Sequence, residues 1–326
     1  MMKKILHGTK AVMIAALGLM LTACEYKDLG DFGRGKIKKI PVTLHFDWQQ
    51  VDSIPNSMRV VFYPDDKTNY AQGYTFFDVL NCDTTIQLPA GGYSLTAWNN
   101  DCEHVIVSHF SKQEATYATT GNYSPHGNVN IPKVLDSLYH DQKVLDYPDY
   151  MVHANLFNFL IEENKPNQVI SLTPDSMVVT VEVKLHGIKG LEWCQNIRGA
   201  INNVAGKRYI AFDNLTEDKV AIMFDAEPVQ QDSMVVAKFW VFGIEPTDLS
   251  HLDHKLVMFF WITGNQVFIP IDVTDIIANA RKDDTYVLIE TPDLDIDLGK
   301  YVRQGETGII VDAEDWDETE EITLSF

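Results

Sequence analysis

The sequence predicts an all-β protein made of two tandem β-sandwich domains with short helices. Three observations carry this. Runs of alternating apolar and polar residues, rich in Val, Ile, Phe, Tyr and Trp, recur along the 326-residue chain. Clusters of Pro, Gly, Asp and Asn separate them. Only 129–142 and Thr274–Arg281 place apolar residues at helical spacing. The length fits two domains better than one barrel, and 45% hydrophobic content suits packed cores rather than disorder.

In chain order, Val42, Leu44, Phe46 and Trp48 share one face of a first strand, with Thr43, His45 and Asp47 on the other. Met58–Tyr63 is a second strand, closed by Pro64-Asp65-Asp66, and Tyr74–Phe77 is a third. Thr84–Leu88 and Tyr93–Trp98, joined by Pro89-Ala90-Gly91-Gly92, read as a hairpin with Leu88 opposite Tyr93. His104–Phe110, Val152–Ile161 and Val169–Leu172 are further strands. Leu172-Thr173-Pro174-Asp175-Ser176, with its Pro and turn formers, marks the domain boundary. Beyond it Val179, Val181, Val183 and Leu185 alternate with Thr180, Glu182 and Lys184. Ala221–Phe224, Met234–Phe242, Leu256–Ile262, Val267–Ile271, Tyr286–Ile289, Leu294–Val302, Gly308–Val311 and Ile322–Phe326 complete the pattern. The expected domains are 40–173 and 174–326.

The first 39 residues read differently. Lys3, Lys4 and Lys10 flank an apolar run, Ala11–Met20, that falls short of the roughly 20 residues a spanning helix needs. Leu21-Thr22-Ala23-Cys24 resembles a bacterial lipobox. That resemblance implies a signal peptide over 1–23, cleavage before Cys24 and a diacylglycerol on its thiol. An ordinary secretory signal with a chance Cys is the alternative. Residues 24–39, with Asp28, Gly30, Asp31, Gly33 and Gly35, form a flexible tether. Several acyl chains anchor stably, because each buried CH₂ contributes about 0.8 kcal/mol. The partner expected at this end is therefore a membrane, reached through the lipid.

Net charge is −20, and loss of 1–23, with three Lys and no acid, takes it to −23. Such a chain has no electrostatic attraction for nucleic acid or anionic headgroups. With Cys24 lipidated, Cys82, Cys102 and Cys194 allow at most one disulfide. Cys82–Cys102 is the candidate pair, although the hairpin register sets Cys82 opposite Asn99, three residues short of Cys102.

No nucleophile elbow, H-E-x-x-H, phosphate loop or dinucleotide fingerprint occurs, and no catalytic, cofactor-binding or metal-ligating residue is assigned. Three acidic or His clusters have two readings each. His251 and His254 about Asp253 fit a ligand pair or, preferably, a polar loop. Asp293, Asp295 and Asp297 fit a hard-cation site or, preferably, the solvated side of a strand. Seven acids in Asp312–Glu321 surround Trp316 and fit a cation site or, preferably, a guarded terminal strand. Trp193 and Trp316, near turns, are the tryptophans best placed for exposed contact.

Three segments carry a family resemblance: Cys24-Glu25-Tyr26-Lys27-Asp28-Leu29 after the lipobox; Phe46-Asp47-Trp48 followed by Met58-Arg59-Val60-Val61-Phe62-Tyr63-Pro64; and Leu88-Pro89-Ala90-Gly91-Gly92-Tyr93-Ser94-Leu95-Thr96-Ala97-Trp98-Asn99. The chain resembles the fimbrillin-related lipoproteins of Bacteroidota, in a branch near the FimB-type anchor subunits of type V pili. The second half matches mainly in pattern, at Ile309-Ile310-Val311-Asp312 and around Trp316. The resemblance implies transthyretin-like or immunoglobulin-like sandwiches and an outer-membrane, lipid-anchored location. It implies a non-enzymatic role in fimbria assembly or adhesion, with fimbrial subunits as partners joined by β-strand donation. It also implies that cleavage after Arg34 would release an anchor from its lipid. The alternative reading is a surface binding module for glycans or host proteins.

Overall fold

Alternation becomes burial at the first strand. In β1 (Lys39–Phe46), Ile40, Val42, Leu44 and Phe46 face inward and are at most 5% exposed, while Lys39, Pro41 and His45 face solvent. The computed structural model describes residues 38–65, 73–123, 142–244, 253–262, 265–280 and 285–302, with Leu135 and Tyr139. Cys24, the tether up to residue 37, most of 129–142, His251, Trp316 and the expected Gly308–Val311 and Ile322–Phe326 strands lie outside the described residues.

The first half continues with β2 (Ser57–Pro64), β3 (Thr75–Leu80), β4 (Thr84–Pro89), β5 (Gly91–Asn99), β6 (Val105–Ser108), β7 (Tyr117–Thr120), β8 (Val144–Asp146), β9 (Val152–Ile161), β10 (Gln168–Leu172) and β11 (Asp175–Ser176). A three-stranded sheet, β10-β1-β4, packs on a five-stranded sheet, β11-β9-β5-β2-β3. Leu44, Leu88, Phe62, Tyr93 and Leu95 meet between them. Each contributes about 1.5–3 kcal/mol by burial.

The expected hairpin is not one. β4 and β5 lie in opposite sheets: β4 pairs with β1, and β5 pairs with β2 and β9. Pro89-Ala90 turns the chain across the sandwich, so Leu88 and Tyr93 enter one core from its two sides. Pro-Gly turn chemistry is equally compatible with a hairpin and with such a corner.

The second half is built from β12 (Val179–Lys189), β13 (Cys194–Ala205), β14 (Lys207–Tyr209), β15 (Lys219–Val229), β16 (Met234–Val241), β17 (Lys255–Ile262), β18 (Asn265–Asp272), a helix α1 (Thr274–Ala280) and β19 (Tyr286–Asp297). The expected strands at 286–289 and 294–302 are one strand, followed by a 3-10 turn over Leu298–Tyr301. One sheet runs β18-β17-β13-β15-β16-β12-β19, with β8 on β15. It folds over on itself at β15: Lys219–Ala226 pairs with β13, and Glu227–Val229 pairs with β16. The enclosed core takes Val181, Val183, Phe224, Phe239, Met258 and Phe260. Phe224 and Phe239 stack at 4.1 Å and 8°. Gly199 in β13 makes room for that pair, because a β-carbon there would collide with the Phe224 ring. On the outer side of the sheet Leu135 and Tyr139 cover Ala200, Met223 and Phe259.

The two sandwiches lie within one compact unit beginning at Ile40. A shared core joins them, with Val61, Tyr63 and Trp98 from the first meeting Met177, Val178, Ala205, Ile210 and Phe242. Backbone pairing crosses the junction twice, β7 to β14 and β8 to β15. On the second sandwich's side of the junction Arg208 adds a polar clasp, and its partner Asp213 lies 3.5 Å from His153 of β9. The Arg208 guanidinium donates to both carboxylate oxygens of Asp213 (2.7 and 2.8 Å) and to the carbonyls of Met177 (2.9 Å) and Phe242 (3.0 Å).

Candidate assembly surface

A sheet edge presents a row of N–H and C=O groups that another strand can complete. The molecule treats its edges unequally. β18 carries Pro270 in its ladder with β17, and Pro offers no N–H. β19 carries Pro292, breaks register against β12, and ends in Asp293, Asp295 and Asp297. Those features blunt both flanks of the second sandwich.

β9 is different. It pairs with β5 along its length, but β11 covers only Val152 and His153 on its other side. Among the described residues, no strand pairs that side of 154–161. Asn158 has φ of 54° and makes a bulge, its N–H donating to Ser94 Oγ at 3.2 Å. The bulge shifts the alternation, so Ala154, Leu156 and Phe159 all reach the core while Phe157 and Leu160 face out. Leu160 is 66% exposed, and Phe157 stacks on the exposed Phe212 at 6.0 Å. β10 is the matching edge of the opposite sheet, with Val169 exposed on its outer face. Gln168 ties the connection between them by donating to the Glu162 carbonyl and accepting from its N–H. The flank therefore offers two strand edges and exposed apolar side chains. Sequence alternation gave β9 as a strand, but no local signal marks a strand that lacks a second neighbour.

The other sequence candidates fall as follows. Trp193 sits on a 3-10 turn and is 47% exposed. Trp98 is buried, Trp48 donates to the Asn81 carbonyl, and Trp240 lies beside Tyr150. His254 is buried with Nδ1 3.2 Å from the Asn202 carbonyl, supporting β13 against β17. Asp295 pairs with Lys189, Asp293 accepts from the Asp295 N–H, and Asp297 accepts from the Gly299 N–H, so the three carboxylates shape a turn. Cys82, Cys102 and Cys194 are free thiols. Burial, with Asp149 and Asp101 nearby, pushes Cys102 up to about 12, and burial with Glu192 pushes Cys194 up to about 11. Both stay protonated at neutral pH and are poor nucleophiles.

Fold and surface together define a tandem β-sandwich protein with an open flank on its first sandwich. The chain belongs to the family described as Domain of unknown function (DUF5119), which it matches over residues 23–225. It is 25% identical over 284 residues to a Bacteroides ovatus protein named "Putative fimbrium anchoring subunit Fim4B", covering 82% of this chain and 79% of that one. Its fold is similar to a crystal structure described as a "putative adhesin" from Bacteroides ovatus, with TM-score 0.62, 22% identity, and 87% and 98% of the two chains covered. A more distant likeness, at TM-score 0.46 and 14% identity over 76% of this chain and 88% of the other, is to the fimbrial anchor protein Mfa2 from Porphyromonas gingivalis.

Proposed function

We propose that this protein is a fimbrillin-like surface lipoprotein that anchors, or serves as an accessory subunit of, a fimbrial filament. The observation that carries the reading is the similarity to the Bacteroides ovatus anchoring subunit across most of both chains. In this reading Cys24 carries the lipid, 24–39 is the tether, and the outer membrane holds the anchor. Fimbrial subunits are the partners, and a donated strand adds to the open side of β9 or to β10. Main-chain bonds supply the affinity, and Phe157, Leu160 and Val169 supply side-chain contacts.

The test is to solubilise the native envelope in mild detergent, capture the full chain and identify co-purifying proteins by mass spectrometry, beside a Cys24→Ala form. Fimbrial subunits in fixed proportion, and filaments shed when Cys24 is changed, support the reading. Isolation of the protein alone with filaments unaltered would overturn it. The exposure of Trp193 favours glycan or host-protein binding as the second reading, for which Trp193→Ala weakens ligand capture at unchanged stability.

A further inference from the structure

Two aromatic side chains from different halves of the chain meet in one hollow. Tyr150 precedes β9, Trp240 lies on β16, and their rings stand 5.9 Å apart at 53°. The hollow that both line holds about 390 Å³, within the range of small-ligand sites. Hydrogen bonds fix its walls. Tyr150 Oη accepts from the Asp52 N–H at 3.0 Å and Asp101 from the Asn56 N–H at 2.8 Å, so both ends of the 52–56 loop are held. Asp101 also accepts from the Asn99 side-chain amide at 3.0 Å, and both Asp149 oxygens are engaged by His104. Two of the three carboxylates that line the hollow therefore serve its shape. The third, Glu103, is exposed, and its side chain accepts no hydrogen bond among the described residues. The Trp240 indole N–H likewise meets no acceptor among them and is not buried.

The hollow thus offers a donor, an acceptor and two aromatic rings, and no lysine or arginine lines it among the described residues. An anion would meet three carboxylates and no cation. An ammonium would use the acceptor and leave the indole idle, because that group only donates. Sugar hydroxyls both donate and accept, and the C–H face of a sugar ring packs on an aromatic one. The strand register extends the surface. Trp240 lies opposite Thr180 of β12, which lies opposite Tyr286 of β19. Opposed residues share a face, so the three form a row spanning two strand spacings, about 9.5 Å. Val181, Phe239 and Val287 alternate into the core, which leaves that row on the outer side. Tyr286 is 38% exposed, and its hydroxyl donates to Glu182 at 2.6 Å, which restrains the ring.

We propose that this hollow binds a hexose of a neutral glycan against Tyr150 and Trp240, and that the glycan runs on over Thr180 to Tyr286. The proposal rests on the second reading above, glycan binding, and places the contact away from Trp193. It does not require the anchoring role.

The test is calorimetric titration of the full chain in mild detergent with cellohexaose, mannohexaose, hexagalacturonate and the glucosamine hexamer. Saturable binding of a neutral hexamer, and none of hexagalacturonate, is expected. Trp240→Ala should weaken it at least about tenfold. Trp240 also packs at the junction of the sandwiches, so the exposed Glu103→Ala is the second variant, expected to weaken binding about threefold at an unchanged melt. Tyr286→Ala should weaken the hexamer and leave the matching disaccharide unmoved, and Trp193→Ala should change neither. Affinity unmoved by Trp240→Ala and Glu103→Ala in folded variants would overturn this site; if Trp193→Ala then removes binding, the glycan reading stands without it. Absence of saturable binding by both neutral hexamers would overturn the site and the glycan reading together. Binding of the glucosamine hexamer alone would make the hollow a cation site and overturn the proposal.

Discussion

The first sandwich sets a three-stranded sheet against a five-stranded one and, among the described residues, leaves β9 and β10 open along one flank. The second passes a single sheet over itself at β15 and ends in β18 and β19, each interrupted by a proline. Folding one sheet over hides its interior without separate layers, and prolines, bulges and carboxylates make its flanks poor templates. The difference teaches that edge exposure here is selective. Among the described residues, the second sandwich ends in interrupted edges and the first leaves uninterrupted ones, with the shared core holding both in one body.

The largest expected effects come from the two cores. Phe239→Ala removes half of the stacked pair under Gly199 and should cost about 3–5 kcal/mol; Leu44→Ala in the first core should cost about 2–5 kcal/mol. Calorimetry should show each variant melting in one transition, because the shared core couples the sandwiches. Two separated transitions in Leu44→Ala would break the comparison as drawn. Gly199→Val overpacks the second core and should lose about 1–3 kcal/mol in a urea titration. Arg208→Met leaves Asp213 and the Met177 and Phe242 carbonyls without their donor, at about 1.5–3 kcal/mol. Its signature is a broadened or split melt, which the core variants lack.

Acid should weaken the same junction. His153 is buried on β9, donates from Nδ1 to the Ile210 carbonyl, and is held below the ordinary histidine range by burial. The unfolded chain therefore binds its proton first. The stability this group contributes is full above the ordinary value near 6.5 and is lost as pH falls from there through the folded value. His104 acts oppositely: its hydrogen bond to Asp149 raises its value, so its contribution is full at low pH and fades as pH rises through the folded value. Melting temperatures from pH 7.5 to 5.5, compared between the parent and His153→Gln, isolate the first effect; the variant should lose less on acidification. An equal loss in both would remove His153 from the account. The smallest stability change is expected at the open flank. Leu160→Lys should move stability by less than about 0.5 kcal/mol, because the residue is 66% exposed. It should nonetheless abolish co-purification of fimbrial subunits. Partner recovery equal to the parent's would take Leu160 out of the contact.

Much of the fold was legible from alternation. β1, β2, β12, β16 and β17 follow the expected runs closely; β1, β12 and β16 bury the face that period two selects, while β2 and β17 are buried on both faces. β13 was not legible, although it lies in the middle of the largest sheet. Its Cys-Gln-Asn-Ile-Arg-Gly-Ala-Ile-Asn-Asn-Val-Ala run looks like a loop because its residues answer to distant neighbours. Gly199 yields space to Phe224. Arg198 reaches Tyr123 and Asp225. Asn202 accepts from the Lys255 N–H, and Asn203 donates to the Asp253 carbonyl. The open flank was equally hidden, since β9 reads the same whether one strand or two lie beside it.

By itself, the sequence determined the strands whose apolar and polar residues alternate, such as β1, β12 and β16, and which side of each is wet, because side-chain alternation is a local consequence of extended backbone. It also fixed the acidic balance and the Cys24 motif. Only the tertiary structure decided which strand lies beside which. Every residue but proline offers the same N–H and C=O, so pairing is chosen by how the apolar faces pack together. That choice sent β4 and β5 to opposite sheets, folded one sheet over at β15 and left β9, among the described residues, with a single neighbour along most of its length.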